Sequence, residues 1–406
     1  MGRIPEPRRP RRRDRTSSAR RGAHGRHRVV SAHGLRLLLA PLLAAVLLAG
    51  IPPVASSAPR VRGVAVDVLF GETAAHVQRD VDKAAAIGAT TLRVAIRWEG
   101  LEPIAKGQWA GWYLQGIDAL VGRARARGLT VLLTPAGTPC WAATAPGAPE
   151  ACGPTGHGVP GAASSAPRDP ADYADLVTFL LRRYGSTVAG LEVWNEPNHP
   201  GFWTVPDPAG YAALLRETYA AAKRVAPSVV VVGAALAGAD TTFLDQLYAA
   251  GIRGSYDALS VHAYNDGRDP SALIDPRWAH ATWLQGLRNL RSALTAHGER
   301  APVWVTEMGW NTSTQRGQLW LDGVTTAQQA DYLRRALAML GDPASGIDYP
   351  AAVFVYRLRD LGDDRADPQQ NYGLQRRDFT AKPSLDAVRK AFASLAALVA
   401  KDRASG

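Results

Sequence analysis

Two glutamates stand in settings suited to acid–base work at a single bond. Glu196 lies in Trp194-Asn195-Glu196-Pro197-Asn198, and Glu307 lies in Val305-Thr306-Glu307-Met308-Gly309-Trp310. One carboxyl group can give a proton to a departing oxygen while a second, ionised, meets the positive charge that develops on carbon. Splitting the acetal link between two sugars needs that division of roles. Neighbouring carboxylates push each other's protonation apart, so acid and anion can coexist at one pH. A lone glutamate facing inward is more often structural, so the weight falls on both occurring, each at the end of a strand in one repeating fold.

The elements that must position them follow one rhythm from Val61 onward: a short β-branched run, a loop, then a helical pattern. Candidate strands are Gly63–Val68, Thr91–Ile96, Leu129–Thr134, Leu191–Asn195, Val229–Gly233, Ala258–Ala263, Val303–Glu307 and Ala352–Tyr356. Amphipathic stretches such as Trp112–Arg127, Ala171–Tyr184, Tyr211–Arg224 and Ala327–Leu340 alternate with them. Asp169-Pro170 suits a helix start, and Gly128, Gly185 and Gly298 suit helix ends. Eight such units predict an α/β fold, a (β/α)8 TIM barrel forming one catalytic domain over residues 59–406. Alternation along a strand then sends Arg93 inward from the second strand. It sends Glu192, Trp194 and Glu196 inward from the fourth, and Ser260, His262 and Tyr264 from the sixth. Polar groups are costly in a barrel interior unless paired or functional, so three strands converging this way predict a site at the C-terminal rim. Residues 135–168 form a long loop after the third strand, where a substrate rim is expected.

Charge divides the chain. Residues 1–58 hold twelve arginines against Glu6 and Asp14, leaving 35 basic and 34 acidic groups in the remainder. The body is close to neutral, which argues against a nucleic-acid partner. The basic stretch leads into an apolar run, Leu37–Ile51, broken by Pro52-Pro53 and followed by Ser56-Ser57-Ala58. That order predicts an export signal over residues 1–58, and a secreted or cell-envelope location. The run is shorter than the roughly 20 residues a spanning helix needs, so no stable membrane span is expected after cleavage; a retained signal anchor is the alternative. Cys140 and Cys152 are close in sequence, and in an oxidising compartment they are expected to pair, two free thiols being the alternative. Without a nearby His-x-His pattern they make a poor zinc site, and no cofactor is expected.

The two glutamate motifs resemble those of the large clan of retaining barrel glycoside hydrolases, most closely glycoside hydrolase family 39 and its exopolysaccharide-cleaving relatives. The likeness spans nearly all of residues 61–393. It includes Trp98 with Glu102-Pro103, Pro139-Cys140-Trp141-Ala142, Phe202-Trp203, His262-Ala263-Tyr264 and Gly373-Leu374. The resemblance implies Glu196 as acid/base and Glu307 as nucleophile in a double displacement on a polysaccharide or oligosaccharide. It implies Asn195 as the donor to the sugar 2-hydroxyl, with Arg93 and Tyr264 orienting Glu307 and keeping it ionised. Where many clan members carry a tryptophan after strand eight, this chain has Tyr356, which leaves the sugar's identity open.

Other residues have two readings. His262 either touches substrate or is a hydrogen-bonded core histidine. Trp98, Trp141, Trp203 and Trp310 fall beyond strand ends, and at least two of them are expected to line the cleft, where aromatic faces stack on sugar rings. Glu192 is expected to pair in the core, with Arg93 as its partner. Asp360, Asp363, Asp364 and Asp367 read as a solvated loop ahead of a calcium site. Two rival functions use the same fold: a transglycosylase acting on envelope polymers, and a sugar-binding barrel without catalysis. A monomer is expected.

Overall fold

The computed structural model describes residues 58–68, 72–156, 158–273, 282–318 and 321–405. All of the expected export segment except Ala58 lies outside them. Eight parallel strands close into a barrel in chain order. They are β1 (Val61–Ala65), β2 (Thr91–Arg97), β3 (Thr130–Ala136), β4 (Val188–Glu192), β5 (Val230–Ala237), β6 (Ala258–His262), β7 (Val303–Met308) and β8 (Ala352–Val355). Around them run α1 (Ala74–Ala86), the single turn α2 (Trp98–Leu101), α3 (Gly111–Ala126), α4 (Pro170–Tyr184) and α5 (Pro208–Val225). The ring is completed by α6 (Thr241–Ala249), α7 (Trp283–Ala296), α8 (Thr326–Met339) and α9 (Pro383–Ser405). The expected (β/α)8 barrel is the fold observed.

Local chemistry sets the helix ends. Thr73, Asp169, Asp207, Asp240, Thr282 and Thr325 each accept a backbone N–H at a helix start, satisfying donors the helix itself cannot. Gly128 (φ 71°) follows α3 and Gly298 (φ 63°) follows α7, both in the left-handed region that glycine adopts without a Cβ penalty. Among the described residues no helix is long and apolar enough to cross a membrane.

The register builds the interior in layers. Arg93 is level with Leu132, Glu192 with Val232, Val232 with Ala258, and Ser260 with Trp304. Laterally paired residues face the same side, so all of these point into the barrel. The lower layer is apolar: Leu132, Val232, Ala258, Trp304, Ala352 and Phe354 pack together. The Phe354 ring lies so close to Gly63 that a Cβ there would sit 2.2 Å from it, and only glycine leaves that space. Above this dry plug come Arg93, Glu192, Thr134, His262 and Glu307, all buried.

The chain leaves β4 irregularly. Trp194 (φ 70°) and Glu196 (φ 46°) are both left-handed, so alternation breaks after Glu192. Trp194, expected to face inward, is instead turned out among the helices against Tyr173 and Trp203, and its Nε1 donates to Phe202 O at 3.0 Å. The same twist delivers Asn195 and Glu196 to the cavity.

The long loop between β3 and α4 has its own supports. Cys140 and Cys152 are disulfide-bonded, as expected. Ala143, Ala145, Ala148 and Ala162 pack with Cys140 into a small core. Arg168 Nη2 donates to Ala143 O at 2.8 Å and Ala148 O at 2.6 Å, and Thr204 N donates across to Ser164 O at 2.6 Å. Removing the covalent staple in a Cys140→Ser/Cys152→Ser variant is expected to lower unfolding stability by about 2–3 kcal/mol, the loop-closure value for a ring of this size. Urea denaturation monitored by tryptophan fluorescence reads it; an unchanged midpoint would mean the loop is ordered without the bond.

Candidate active site

A cavity of about 1410 Å³ opens at the C-terminal end of the barrel, and groups from all eight strand ends line it. Its floor is a hydrogen-bonded cluster built around Arg93. The guanidinium is buried and donates through Nε to Glu192 Oε2 at 2.7 Å, through Nη1 to Glu307 Oε1 at 2.5 Å and through Nη2 to Asn195 Oδ1 at 3.1 Å. An unpaired buried cation would cost several kcal/mol, and here each edge of the fork meets an acceptor. Burial opposes the charge of Arg93, but the carboxylates of Glu192 and Glu307 outweigh it and raise its pKa. Burial likewise works against ionised Glu192, yet Arg93, His262 and Thr306 hold its carboxyl well below the usual range. Glu192 is the core ion pair expected, and Thr134 Oγ1 adds a hydrogen bond at 3.0 Å.

Glu307 is held at both oxygens. Oε1 takes the Arg93 bond, and Oε2 accepts from Tyr264 Oη at 2.5 Å. Burial and the adjacent Glu307 charge push the Tyr264 phenol well up, so it remains a donor. Two donors, one cationic, fix the carboxylate's orientation.

Glu196 has a different environment. Its Oε1 lies 2.7 Å from His262 Nδ1, which is also 3.7 Å from Glu307 Oε2; His262 Nε2 is 3.8 Å from Glu192 Oε1. Burial disfavours the imidazolium, but Glu307, Glu192 and Glu196 together push the His262 pKa up to about 10. His262 is therefore both a bonded core histidine and part of the cavity lining. Glu196, His262 and Glu307 each offer a ligand atom within 4.8 Å of the others'. That spacing could admit a cation, but both Glu307 oxygens already face donors and the Arg93 charge lies beside them. The set suits proton transfer better than metal binding.

Asn195 presents its Oδ1 to Arg93 and lines the cavity, leaving Nδ2 free of that bond. Tyr356 lines the cavity where the expectation put it, with Tyr264 and Tyr372 in edge-on contact at ring separations of 6.2 and 5.4 Å.

The tryptophan expectation is corrected. Trp98, Trp203 and Trp310 are buried, and none of the four is among the cavity-lining residues. Trp98 Nε1 donates to Glu102 Oε2 at 2.7 Å and Trp141 Nε1 to Glu102 O at 2.8 Å, bracing one loop. Trp310 Nε1 donates to Arg268 O at 2.8 Å, and Trp203 packs on Trp194. Loop position alone does not distinguish a ring that faces the cavity from one that anchors the loop behind it. The exposed ring is the neighbouring Phe202, 42% exposed at the cavity mouth. In the aspartate-rich loop, Asp364 and Asp367 accept from their own loop's backbone, while Asp360 is buried against Lys382 Nζ at 2.8 Å.

Sequence reading missed Asp67, Tyr372 and Asp266, all in the lining. Asp67 and Asp266 come from loops just past strands and Tyr372 from the far part of the long loop after β8, where alternation gives no parity; Asp266, two residues after Tyr264, was the most accessible of them.

Residues 165–399 match the sequence profile of glycosyl hydrolases family 39. A beta-xylosidase of Geobacillus stearothermophilus is 33% identical over 211 residues, which cover 48% of this chain and 41% of that protein. The chain thus spans about two fifths of the length of that curated relative. A family 39 glycoside hydrolase from Bacteroides cellulosilyticus WH2 superposes with a TM-score of 0.64 at 23% identity, over 84% of this chain and 64% of that one. A monomeric beta-xylosidase from Caulobacter crescentus CB15 gives 0.56 at 22% identity, over 82% and 68%. These two superpositions show a shared fold.

Two titrations should be separable in stability. Burial raises Asp266 from its ordinary 3.8 to about 7, with Arg268 opposing and Asp322 adding to the shift. The fold therefore favours the protonated acid, and that stabilisation is lost as pH rises from about 4 through 7. For His262 the contribution is full below 6.5 and fades as pH rises to about 10. In calorimetric scans across pH, Asp266→Asn is expected to flatten the loss in the lower window and His262→Gln the loss in the upper one. Parallel curves for wild type and variant would contradict the assignment.

Proposed function

The chain belongs to glycosyl hydrolases family 39, and from that premise we propose that it is an exported, retaining glycosidase acting on a polysaccharide or oligosaccharide. The observation that carries this reading is the pair of unlike carboxylates on the cavity floor, with oxygens within 4.8 Å of each other. Retaining enzymes hold their two carboxyl groups about 5–5.5 Å apart, whereas inverting enzymes need about 6.5–9.5 Å to admit a water between them. The basic, then apolar, order of residues 1–58 supports export.

In this reading Glu307 is the nucleophile. Its oxygen bonds the anomeric carbon as the bond from that carbon to the leaving oxygen breaks, and Glu196 gives the leaving oxygen its proton. The product of the first step is a glycosyl ester on Glu307. Glu196, now a carboxylate, takes a proton from water as the water oxygen attacks the same carbon, and the ester bond breaks to restore Glu307. Asn195 Nδ2 is placed to donate to the hydroxyl next to the anomeric carbon. Glu192 has a separate task. When Glu307 is esterified its charge disappears, and Glu192 keeps the buried Arg93 paired through the intermediate. His262 steadies Glu196 through the 2.7 Å bond in both of its protonation states.

Glu196→Gln is expected to lower kcat by about 10²–10⁴-fold, the usual contribution of a positioned acid/base, and Glu307→Gln by at least as much. Proton NMR of the reaction should show the first-formed sugar with the substrate's anomeric configuration. Full activity in both variants, or an inverted first product, would remove the assignment. Adding a sugar acceptor separates hydrolysis from transfer in the same experiment.

A further inference from the structure

The glycosidase reading leaves open whether the cavity grips the end of a chain or its middle. We infer that it binds the middle: sugars are held on both sides of the carboxylate pair, and the bond cut is internal. The inference rests on the reading proposed above and goes beyond it to the architecture of the substrate.

Size comes first. A pocket for a drug-sized ligand occupies roughly 300–1,000 Å³, and the cavity here is about 1410 Å³. A single sugar ring would leave most of that space to water.

Placement comes second. In a closed ring of eight strands taken in order, β1 and β5 stand opposite, as do β8 and β4. Asp67, just past β1, lines the cavity and is ion-paired to the buried Arg357 behind it. Beside it, at the end of β2, Arg97 Nε bonds Glu99 Oε1 at 2.6 Å while the Arg97 side chain remains 76% exposed. These groups give that side hydroxyl-binding donors and acceptors held in place by their own ion pairs. Towards the other side, in the loop after β4, stands the exposed ring of Phe202, with His199 at a ring separation of 5.8 Å. Asp240, at the end of β5, is oriented by Asn198 Nδ2 at 3.1 Å. That side offers an apolar face for a ring to stack on and an acceptor at its edge. Both sides of the cavity therefore carry sugar-binding chemistry, and the carboxylates, from just past β4 and from β7, flank the line that joins β1 to β5.

Width comes third. The stapled loop after β3 lines the cavity between Gly156 and Ser164, mostly with glycine and alanine, together with Val159 and Pro160. Among the described residues of that wall these two are the bulkiest, so small side chains make up most of its length.

The test uses the full chain with reducing-end-labelled xylo-, manno-, gluco- and galacto-oligosaccharides from disaccharide to octasaccharide, with products resolved by mass spectrometry. The expected first products of the octasaccharide that is cut are internal fragments. Its kcat/KM should exceed that of the matching disaccharide by about 100-fold, because remote subsites contribute binding energy that is used at the reacting centre. Phe202→Ala should narrow that ratio. Release of single sugars from one end, with kcat/KM independent of chain length, would overturn the inference and leave the glycosidase reading standing. Cleavage unaffected by Glu196→Gln and Glu307→Gln would overturn that reading, whatever the product pattern. No turnover of any member would overturn both.

Discussion

A guanidinium buried in a barrel must be neutralised on every side, and Arg93 is placed so that this requirement organises the floor of the cavity. Its fork reaches strand β4 through Glu192, the segment just past β4 through Asn195, and strand β7 through Glu307. The geometry that pairs the charge also aims the carboxylate and fixes the amide. Replacing one partner would strand a charge in a low-dielectric interior, a loss of several kcal/mol, so the cluster stands or falls together. Beneath it, the Leu132–Trp304–Phe354 layer excludes water and keeps those interactions strong.

Much of this was legible because a strand's period is two. The parity of Leu92, Val94 and Ile96 sends Arg93 inward, and the same logic places Glu192, Ser260 and His262. Strand positions came within a few residues, the fourth being read three residues late. The rule failed where the backbone stopped being a strand. Trp194 and Glu196 adopt positive φ, which no alternation pattern anticipates, and Trp194 turned out while Glu196 still reached the cavity. Aromatic residues in loops posed a second difficulty. Whether Trp98 faces sugar or braces Glu102 depends on the chain's path, and composition does not encode that path. Asp67, Asp266 and Tyr372 stand at positions without periodicity, and only three-dimensional closure brings them together.

The two halves of the cavity mouth are tied to each other. The loop after β3 is closed on itself by Cys140–Cys152, and Ser164 then accepts from Thr204 N and Thr204 Oγ1, in the loop that follows Glu196. Phe202 and Glu196 belong to that second loop, and His199 N donates to Glu196 O at 2.9 Å within it. Ordering of the small-residue wall is thereby linked to the position of the aromatic ring and, through it, to the carboxyl group. Loops that stay this close to their scaffold move less than loop length alone would imply.

The aromatic plug has a consequence for traffic. With Phe354 pressed on Gly63 and Trp304 beside it, the barrel has a sealed base, and everything that enters or leaves uses the same opening. In the double displacement proposed above, the departing alcohol and the arriving water molecule take turns at that opening. In that scheme whichever hydroxyl stands there next receives the sugar, so occupancy at the threshold, and not the floor beneath it, decides between water and a second sugar.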